Sequence, residues 1–192
     1  MKTLLLATAV TLIGGAAEAT VIDFNSSTGN ISGVDLGGVT ITAGTSDVTT
    51  DAFGPTPNGT TGIVSYDFTT GSFSDPFTAT FDALVSAVSV DLGDYNSDAD
   101  TLYLFAYDAA NTLLDSFMTA IDASFIGMVT LSVAAAGIDH VVFYGVGLND
   151  ENNVYADNLT FDGVAPVPLP AAGLLLLGGL GLLGGLRRSS KA

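Results

Sequence analysis

The stretch LVSAVSVDL, residues 84–92, alternates apolar and polar side chains as a half-buried β-strand does. By this period of two, Leu84, Val88, Val90 and Leu92 fall on one face of the strand. Similar short runs occur before and after it, separated by residues that favour turns, such as those in Gly54–Gly59 (GPTPNG). The pattern therefore predicts an all-β domain with no helix in its body.

About ten strands are predicted in all, each bounded by turn signals. They are Thr20–Phe24, Gly38–Thr42, Ile63–Tyr66, Phe77–Phe81, Leu84–Leu92, Thr101–Tyr107, Leu113–Met118, Met128–Val133, His140–Tyr144 and Asn153–Phe161, with residues 43–62 expected to be rich in loops. Many short strands at this spacing are typical of an antiparallel β-sandwich, and we predict one of jelly-roll type.

The body carries many acidic residues and no lysine or arginine. All four basic residues lie near the two ends of the chain, at Lys2, Arg187, Arg188 and Lys191, whereas 19 of the 20 acidic residues lie between residues 20 and 163. Such a body repels nucleic acid, acidic polysaccharide and anionic lipid unless cations intervene, so nucleic-acid binding is excluded. Divalent cations are the expected partner, although acidic side chains also keep exported proteins soluble and form turns. There are no cysteines, so the fold depends on its apolar core.

The acidic segment 94–100 is the first candidate calcium loop. Its oxygen-bearing side chains alternate at Asp94, Asn96, Asp98 and Asp100, and an extended loop would point all four the same way. The sixth and twelfth positions of an EF-hand loop would be Ala99 and Phe105 instead of glycine and glutamate, so an EF-hand is excluded. A calcium loop of another type and a solvated acidic hairpin both remain open.

A second candidate calcium site would join the two ends of the body. Asp23 lies on the predicted first strand, while Asp157 and Asn158 lie on the last. If these strands are neighbours, their oxygens come together without any lysine or arginine to balance them. The segment 150–153 (DENN) could contribute to this site or form a turn.

An aromatic row and a lone histidine are the remaining candidates. Tyr103, Phe105 and Tyr107 alternate along one strand and could stack on sugar rings, but Leu102 and Leu104 make the opposite face apolar as well. We therefore expect the aromatic row to belong to the core. His140, the only histidine, lies in an apolar strand and is expected to be a packed residue, so we predict that the protein is not an enzyme.

The N-terminus, residues 1–19, has the features of a secretory signal peptide. Lys2 precedes an apolar run, and Ala17 and Ala19 supply the small residues that a signal peptidase requires for cleavage before Thr20. We therefore expect the body, residues 20–163, to be exported.

The C-terminus has three parts. Residues 164–170 form a Pro-rich linker that ends in Val167-Pro168-Leu169-Pro170, residues 171–186 are uncharged and rich in Leu and Gly, and residues 187–192 are basic. As a helix, the uncharged segment of 16 residues would span about 24 Å of a hydrocarbon core of about 30 Å. The basic tail places the C-terminus in the cytoplasm by the positive-inside rule.

The motif Val167-Pro168-Leu169-Pro170-Ala171, with its Leu/Gly-rich segment and the pair Arg187 and Arg188, resembles the PEP-CTERM class of bacterial sorting signals in its VPLPA variant. The better-known form of the motif has Glu at the position of Leu169. The alternative is an ordinary C-terminal anchor. The resemblance implies transient anchoring in the inner membrane, cleavage by an exosortase-type enzyme, and release to the cell surface or to an exopolysaccharide or biofilm matrix.

Together these features predict an exported, non-catalytic protein of the cell surface or extracellular matrix with a structural role. The alternative is a calcium-dependent carbohydrate-binding module that acts on the exopolysaccharide. An enzyme acting on polysaccharide comes third.

Overall fold

The structure, a computed structural model, describes residues 19–50, 55–73, 75–94, 98–147 and 153–162. Within these ranges the chain forms ten strands, and no helix there is long and apolar enough to cross a membrane. The strands are β1 (Ala19–Ile22), β2 (Gly29–Asn30), β3 (Val39–Thr42), β4 (Asp47–Thr50), β5 (Ile63–Tyr66), β6 (Phe77–Asp94), β7 (Asp100–Tyr107), β8 (Leu113–Ile121), β9 (Val129–Val146) and β10 (Val154–Asp162). Residues 1–18 of the signal peptide predicted over residues 1–19, and the whole C-terminal sorting segment, lie outside the described residues.

The fold is all-β and antiparallel, as predicted. In one layer, the first part of β6 lies between β3 and the last part of β9. That part of β9 also pairs with β7, and β7 pairs with β8 on its other side. In the other layer, the last part of β6 lies between the first part of β9 and β10, which also pairs with β1 and β5. The two 18-residue strands, β6 and β9, therefore run through both layers of a β-sandwich.

The passage of β6 and β9 between layers corrects two predictions. Each was expected as two separate strands, yet each is continuous, with register shifts between Thr80 and Val85 and between Val85 and Ala87. Such irregularities bend a strand and let it change layers. They also reverse the side-chain alternation, so Val85 is buried while Leu84, predicted to share the face of Val88, is 58% exposed.

The core lies between the two layers. Phe77 and Phe143 are directly opposite each other on β6 and β9, and their stacked rings have centroids 5.1 Å apart. Phe81 on β6 meets Phe161 on β10 with centroids 5.0 Å apart. All four rings belong to a single cluster of buried apolar side chains that draws on both layers, so the domain is held by one core.

Gly145 shows how closely the layers approach. A Cβ atom at this position of β9 would lie 2.3 Å from Cγ1 of Val154 on β10 and 3.3 Å from Cδ2 of Leu102. We expect Gly145→Ala to lower the free energy of unfolding by about 1–3 kcal/mol through overpacking. Adding Val154→Ala should restore part of this loss, which urea denaturation of the single and double variants would measure. Strictly additive losses would show that the two positions do not touch.

Many aspartates close turns, which accounts for part of the acidity. Asp35 accepts hydrogen bonds from the N–H groups of Gly37 and Gly38, at 2.9 and 3.0 Å. Hydrogen bonds of this kind lower the pKa of six aspartates; for Asp162 burial is the largest single effect and raises the pKa, but hydrogen bonds from Ser86 and Ala87 together outweigh it. For the other five, the largest contribution comes from the Gly38 N–H for Asp35, the Thr69 N–H for Asp67, the Ser46 hydroxyl for Asp75, the Thr112 N–H for Asp108 and the Ser124 hydroxyl for Asp122.

These lowered pKa values predict how stability depends on pH. The ordinary pKa of an aspartate is 3.8, and a carboxyl whose pKa is lower in the folded state stabilises the fold fully when the pH is above 3.8. This stabilisation is lost as the pH falls through the pKa of the folded state. We therefore expect the free energy of unfolding to decrease between about pH 4 and about pH 2 in urea titrations. Asp75→Asn should weaken that decrease, because Asp75 accepts hydrogen bonds from both the N–H and the hydroxyl of Ser46, at 3.0 and 2.8 Å. If the free energy of unfolding instead rises as the pH is lowered from about 4 to about 2, relief of repulsion among the carboxylates dominates.

Candidate functional site

The aromatic row on β7 lies on the outside of the sandwich. Leu102, Leu104 and Ala106 point into the core and are fully buried, while Tyr103, Phe105 and Tyr107 alternate with them and are partly exposed. The expectation that this row belongs to the core was therefore wrong. β7 is an interior strand paired with β8 and β9, so its apolar inner face packs in the core while the other face remains partly open to solvent.

Two side chains of β9 extend the row sideways. Tyr144 is directly opposite Tyr103, and their ring centroids are 5.0 Å apart; His140 is opposite Tyr107, with centroids 5.3 Å apart. Along β7 the centroids of Tyr103 and Phe105 are 5.9 Å apart, and their planes differ by only 10°. We call these five residues (Tyr103, Phe105, Tyr107, His140 and Tyr144) the aromatic face.

Sequence reasoning treated His140 as an ordinary packed residue and passed over Tyr144. The sequence feature that could have indicated both residues is the alternation of His140, Val142 and Tyr144 with the buried residues Val141 and Phe143. This alternation resembles that of β7, and only the register between the two strands shows that the rings lie side by side.

Polar and flexible side chains border the aromatic face. On β6, Thr80 is opposite His140. On β8, Ser116 is opposite Phe105 and exposed Met118 is opposite Tyr103. The face thus combines aromatic rings with hydroxyl groups on both sides.

The electrostatics of the face are set by tyrosine and aspartate. Burial, followed by the proximity of Tyr103 and Tyr107, raises the pKa of Tyr144, so this phenol keeps its proton at neutral pH. Nδ1 of His140 lies 3.1 Å from a carboxylate oxygen of Asp139. The Thr112 N–H and, to a smaller extent, the charge of His140 lower the pKa of Asp108, so this carboxyl is ionised beside the same end of the face.

The first predicted calcium loop is described in part. Asn96 and the side chain of Asp94 lie outside the described residues. Asp98 and Asp100 both approach Gly147 at the end of β9: their nearest oxygens lie 3.0 and 2.5 Å from the position that a Cβ of Gly147 would occupy. Two carboxylates therefore converge there, and Asp100 is only 4% exposed.

Strand pairing brings four strand ends together near these carboxylates: Asp94 of β6 is opposite Val154 of β10, and Thr101 of β7 is opposite Val146 of β9. Of the polar segment 150–153, residues 150–152 lie outside the described residues. Asn153 is buried, and its Oδ1 has no hydrogen-bond partner within the described part of the chain. Over that same part, no group of three or more acidic, histidine or cysteine side chains forms a metal site.

The second predicted calcium site is divided between two environments. β1 does pair with β10, but exposed Asp23 accepts a hydrogen bond from the N–H of Asn25, at 3.2 Å, within its own loop. Asp157 is buried and accepts hydrogen bonds from the hydroxyl of Thr60, at 2.6 Å, and the N–H of Asn158, at 2.7 Å. The side-chain amide of Asn158 donates to Asp91 at 2.9 Å. The structure thus brings Asp157 and Asn158 together and gives Asp23 separate contacts.

A groove of about 460 Å³ lies elsewhere, in the layer that contains β10. Small side chains line much of it, among them Ala87, Ser89 and Ser132. Its two carboxylates accept hydrogen bonds from backbone N–H groups, Asp115 from Ala134 at 2.9 Å and Asp162 from Ser86 at 2.7 Å. These contacts give both carboxylates a structural role.

Comparisons by sequence identify no relatives: no family model matches the chain, and no curated protein is similar to it. Comparisons by structure find similar folds. An arabinose-bound α-L-arabinofuranosidase matches 78% of this chain with a TM-score of 0.52 at 12% identity. The match covers 27% of the arabinofuranosidase, so this chain corresponds to about a quarter of that enzyme.

Two smaller domains match over nearly their whole length. A xylan-binding CBM22-1 domain from Paenibacillus barcinonensis matches with a TM-score of 0.46 at 11% identity, covering 79% of this chain and 98% of that domain. A cleaved adhesin domain of Lys-gingipain from Porphyromonas gingivalis matches with a TM-score of 0.44 at 15% identity, covering 74% and 97%. At these identities the similarities concern the fold alone.

Proposed function

We propose that this chain is an exported, non-catalytic protein of the cell surface or extracellular matrix that binds polysaccharide through its aromatic face. The observation that carries the proposal is the set of stacked rings on the outer side of β7 and β9, where core residues were expected. A sandwich needs apolar side chains only on its inner faces, so an outward row of rings calls for a function.

The chemistry of the face suits sugars. The C–H groups of a pyranose ring pack against aromatic rings, while its hydroxyls need nearby hydrogen-bonding groups. The phenols of Tyr103, Tyr107 and Tyr144 and the hydroxyls of Thr80 and Ser116 surround the face and can supply these bonds. The position of His140, stacked on Tyr107 and next to Asp139, fits a binding surface better than a catalytic base.

Export and sorting belong to the same proposal. Cleavage before Thr20 by signal peptidase would leave a chain that begins within β1. The VPLPA motif and basic tail would then hold the protein in the inner membrane until an exosortase-type enzyme releases the body. An exported protein with a sugar-binding face would meet exopolysaccharide in the matrix.

Polysaccharide binding can be tested by affinity electrophoresis of the full-length chain in a mild nonionic detergent. Native gels would contain a neutral β-glucan, xylan, amine-bearing chitosan or acidic alginate, and a gel without polysaccharide gives the reference mobility. We expect retardation by at least one neutral or amine-bearing polysaccharide and none by alginate without divalent cations, because the body carries only acidic charges. Unchanged mobility in every gel would refute the proposal.

A second candidate role, as a matrix component organised by calcium, is favoured by the convergence of Asp98 and Asp100 at Gly147. Cations that bind only the folded state raise its stability by RT ln(1 + [L]/Kd), about 2.7 kcal/mol at a hundredfold excess over Kd. We expect calcium to produce a saturating rise in the thermal unfolding temperature of the full-length chain, and Asp98→Asn to reduce it. Magnesium and sodium at matched ionic strength are the controls, and an equal response to all three would exclude a calcium site.

A further inference from the structure

We propose that the ligand of the aromatic face is a polysaccharide that carries protonated amino groups. This inference rests on the proposed function and specifies its ligand. It follows from charge complementarity between such a polymer and the aromatic face with its surroundings.

The charge of the whole body favours a cationic ligand. From residue 20 to residue 163 there is no lysine or arginine, and His140 is the only histidine. The 19 acidic residues in the same range have no fixed positive counter-charge. Their summed field attracts cations toward every surface of the body and repels anionic polymers.

The local chemistry of the aromatic face favours ammonium groups in particular. The negative faces of aromatic rings attract cations, and the attraction grows when a carboxylate lies nearby. The phenol rings of Tyr103, Tyr107 and Tyr144 stack on neighbouring rings and are partly exposed to solvent, where a cation can approach them. Asp139 lies beside His140, with 30% of its side chain exposed, and Asp108 directly follows Tyr107. Rings and carboxylates together recognise an amine, whereas a neutral sugar has no charged group for the carboxylates to attract.

The shape of the surface favours a sugar polymer over a basic peptide. Peptides usually bind by adding a strand to a sheet edge or by placing side chains in pockets. The aromatic face lies on adjacent strands, β7 and β9, which are both interior to their layer, and the 460 Å³ groove lies elsewhere. Rings on the outer face of a sheet suit ligands built of sugar rings, which present faces of C–H groups.

A matched pair of oligosaccharides provides the test. Isothermal titration of the full-length chain in nonionic detergent would compare a glucosamine hexamer, which has free amines, with an N-acetylglucosamine hexamer, in which each amine is an amide. At about pH 6, where the carboxylates are ionised, we expect the amine form to bind at least about fivefold more tightly. This preference should shrink as salt is raised from about 0.05 M to about 0.5 M, since salt screens charges.

Variants separate the local carboxylate from the overall charge. Asp139→Asn should weaken binding of the amine form more than binding of the N-acetylated form, so the ratio of the two affinities should fall. Asp35→Asn removes the same charge from a turn outside the aromatic face and should change the preference little. Equal effects of the two variants would overturn the role of the face and leave only the net charge.

The remaining outcomes distinguish this inference from the proposed function. Equal binding of both hexamers would overturn the amine inference while supporting polysaccharide binding. Binding of polylysine but of neither hexamer would indicate a basic peptide and overturn the inference. Failure of both hexamers and of every polysaccharide in the electrophoresis panel would overturn the inference and the proposed function together.

Discussion

Replacing Phe143 with alanine is expected to lower the free energy of unfolding by about 3–5 kcal/mol, the cost of removing a fully buried aromatic ring. Phe143 lies on β9 between β6 and β7, opposite Phe77 on one side and Leu104 on the other. Its ring also stacks on that of Phe77. The cavity left behind would therefore lie where the central strands of the layer meet, and urea denaturation would measure its cost.

The matched control is Phe68→Ala. Phe68 is 62% exposed and makes an edge-to-face contact with Tyr66, at 4.9 Å between centroids. Since little apolar surface is lost there, we expect a change of less than about 1 kcal/mol. Similar losses for the two variants would contradict the placement of Phe143 in a core shared by both layers.

The double variant Tyr103→Ala/Tyr144→Ala is expected to weaken polysaccharide binding by about 30-fold or more. Each ring of a binding surface contributes about 1 kcal/mol or more when it stacks on a ligand, and about 1.4 kcal/mol corresponds to a factor of ten. Both side chains lie on the outer face and are only partly buried, so the variant should stay folded. Retardation by the best ligand in affinity gels measures the effect.

Phe68→Ala again serves as the control, because it removes an exposed ring that lies outside the aromatic face. Its retardation should equal that of the unaltered chain. If the double variant unfolds at the same urea concentration as the unaltered chain and is retarded as strongly, the polysaccharide contacts another surface.

Strand positions could be read from the sequence where apolar alternation is strong. β7 was predicted one residue short, as Thr101–Tyr107. The pairing of the first strand with the last was a condition of the second calcium-site hypothesis, and the structure has it. β4 (Asp47–Thr50) was missed because its residues are mostly polar and lie in a region rich in turn-forming residues. Its pairing with β5 is a tertiary effect that local sequence does not contain.

The continuity of β6 could not be predicted for a related reason. Two strands were predicted, Phe77–Phe81 and Leu84–Leu92, with Asp82 and Ala83 between them, and only the pairing with β9 shows that the strand continues. The bend in β6 reverses the alternation, so Leu84 and Val85 exchange sides relative to the expected pattern.

The alternation of side chains along a strand does not show which residues form the candidate site. β7 is apolar on both faces, and sequence cannot say which face another layer covers. The neighbours of Tyr103 and Tyr107 come from β9, and their approach depends on strand register. Likewise, the alternation of Asp98 and Asp100 was visible, whereas their convergence on Gly147 depends on the pairing of β7 with β9.

Site-resolved footprinting of the tyrosines would test most directly whether polysaccharide binds the aromatic face. The full-length chain would be oxidised by hydroxyl radicals with and without the polysaccharide that retards it most, and modification of each tyrosine would be quantified by mass spectrometry. We predict that Tyr103, Tyr107 and Tyr144 become protected, while partly exposed Tyr66, which lies outside the aromatic face, does not change. Protection of Tyr66 with full modification of Tyr103 and Tyr144 would contradict the account.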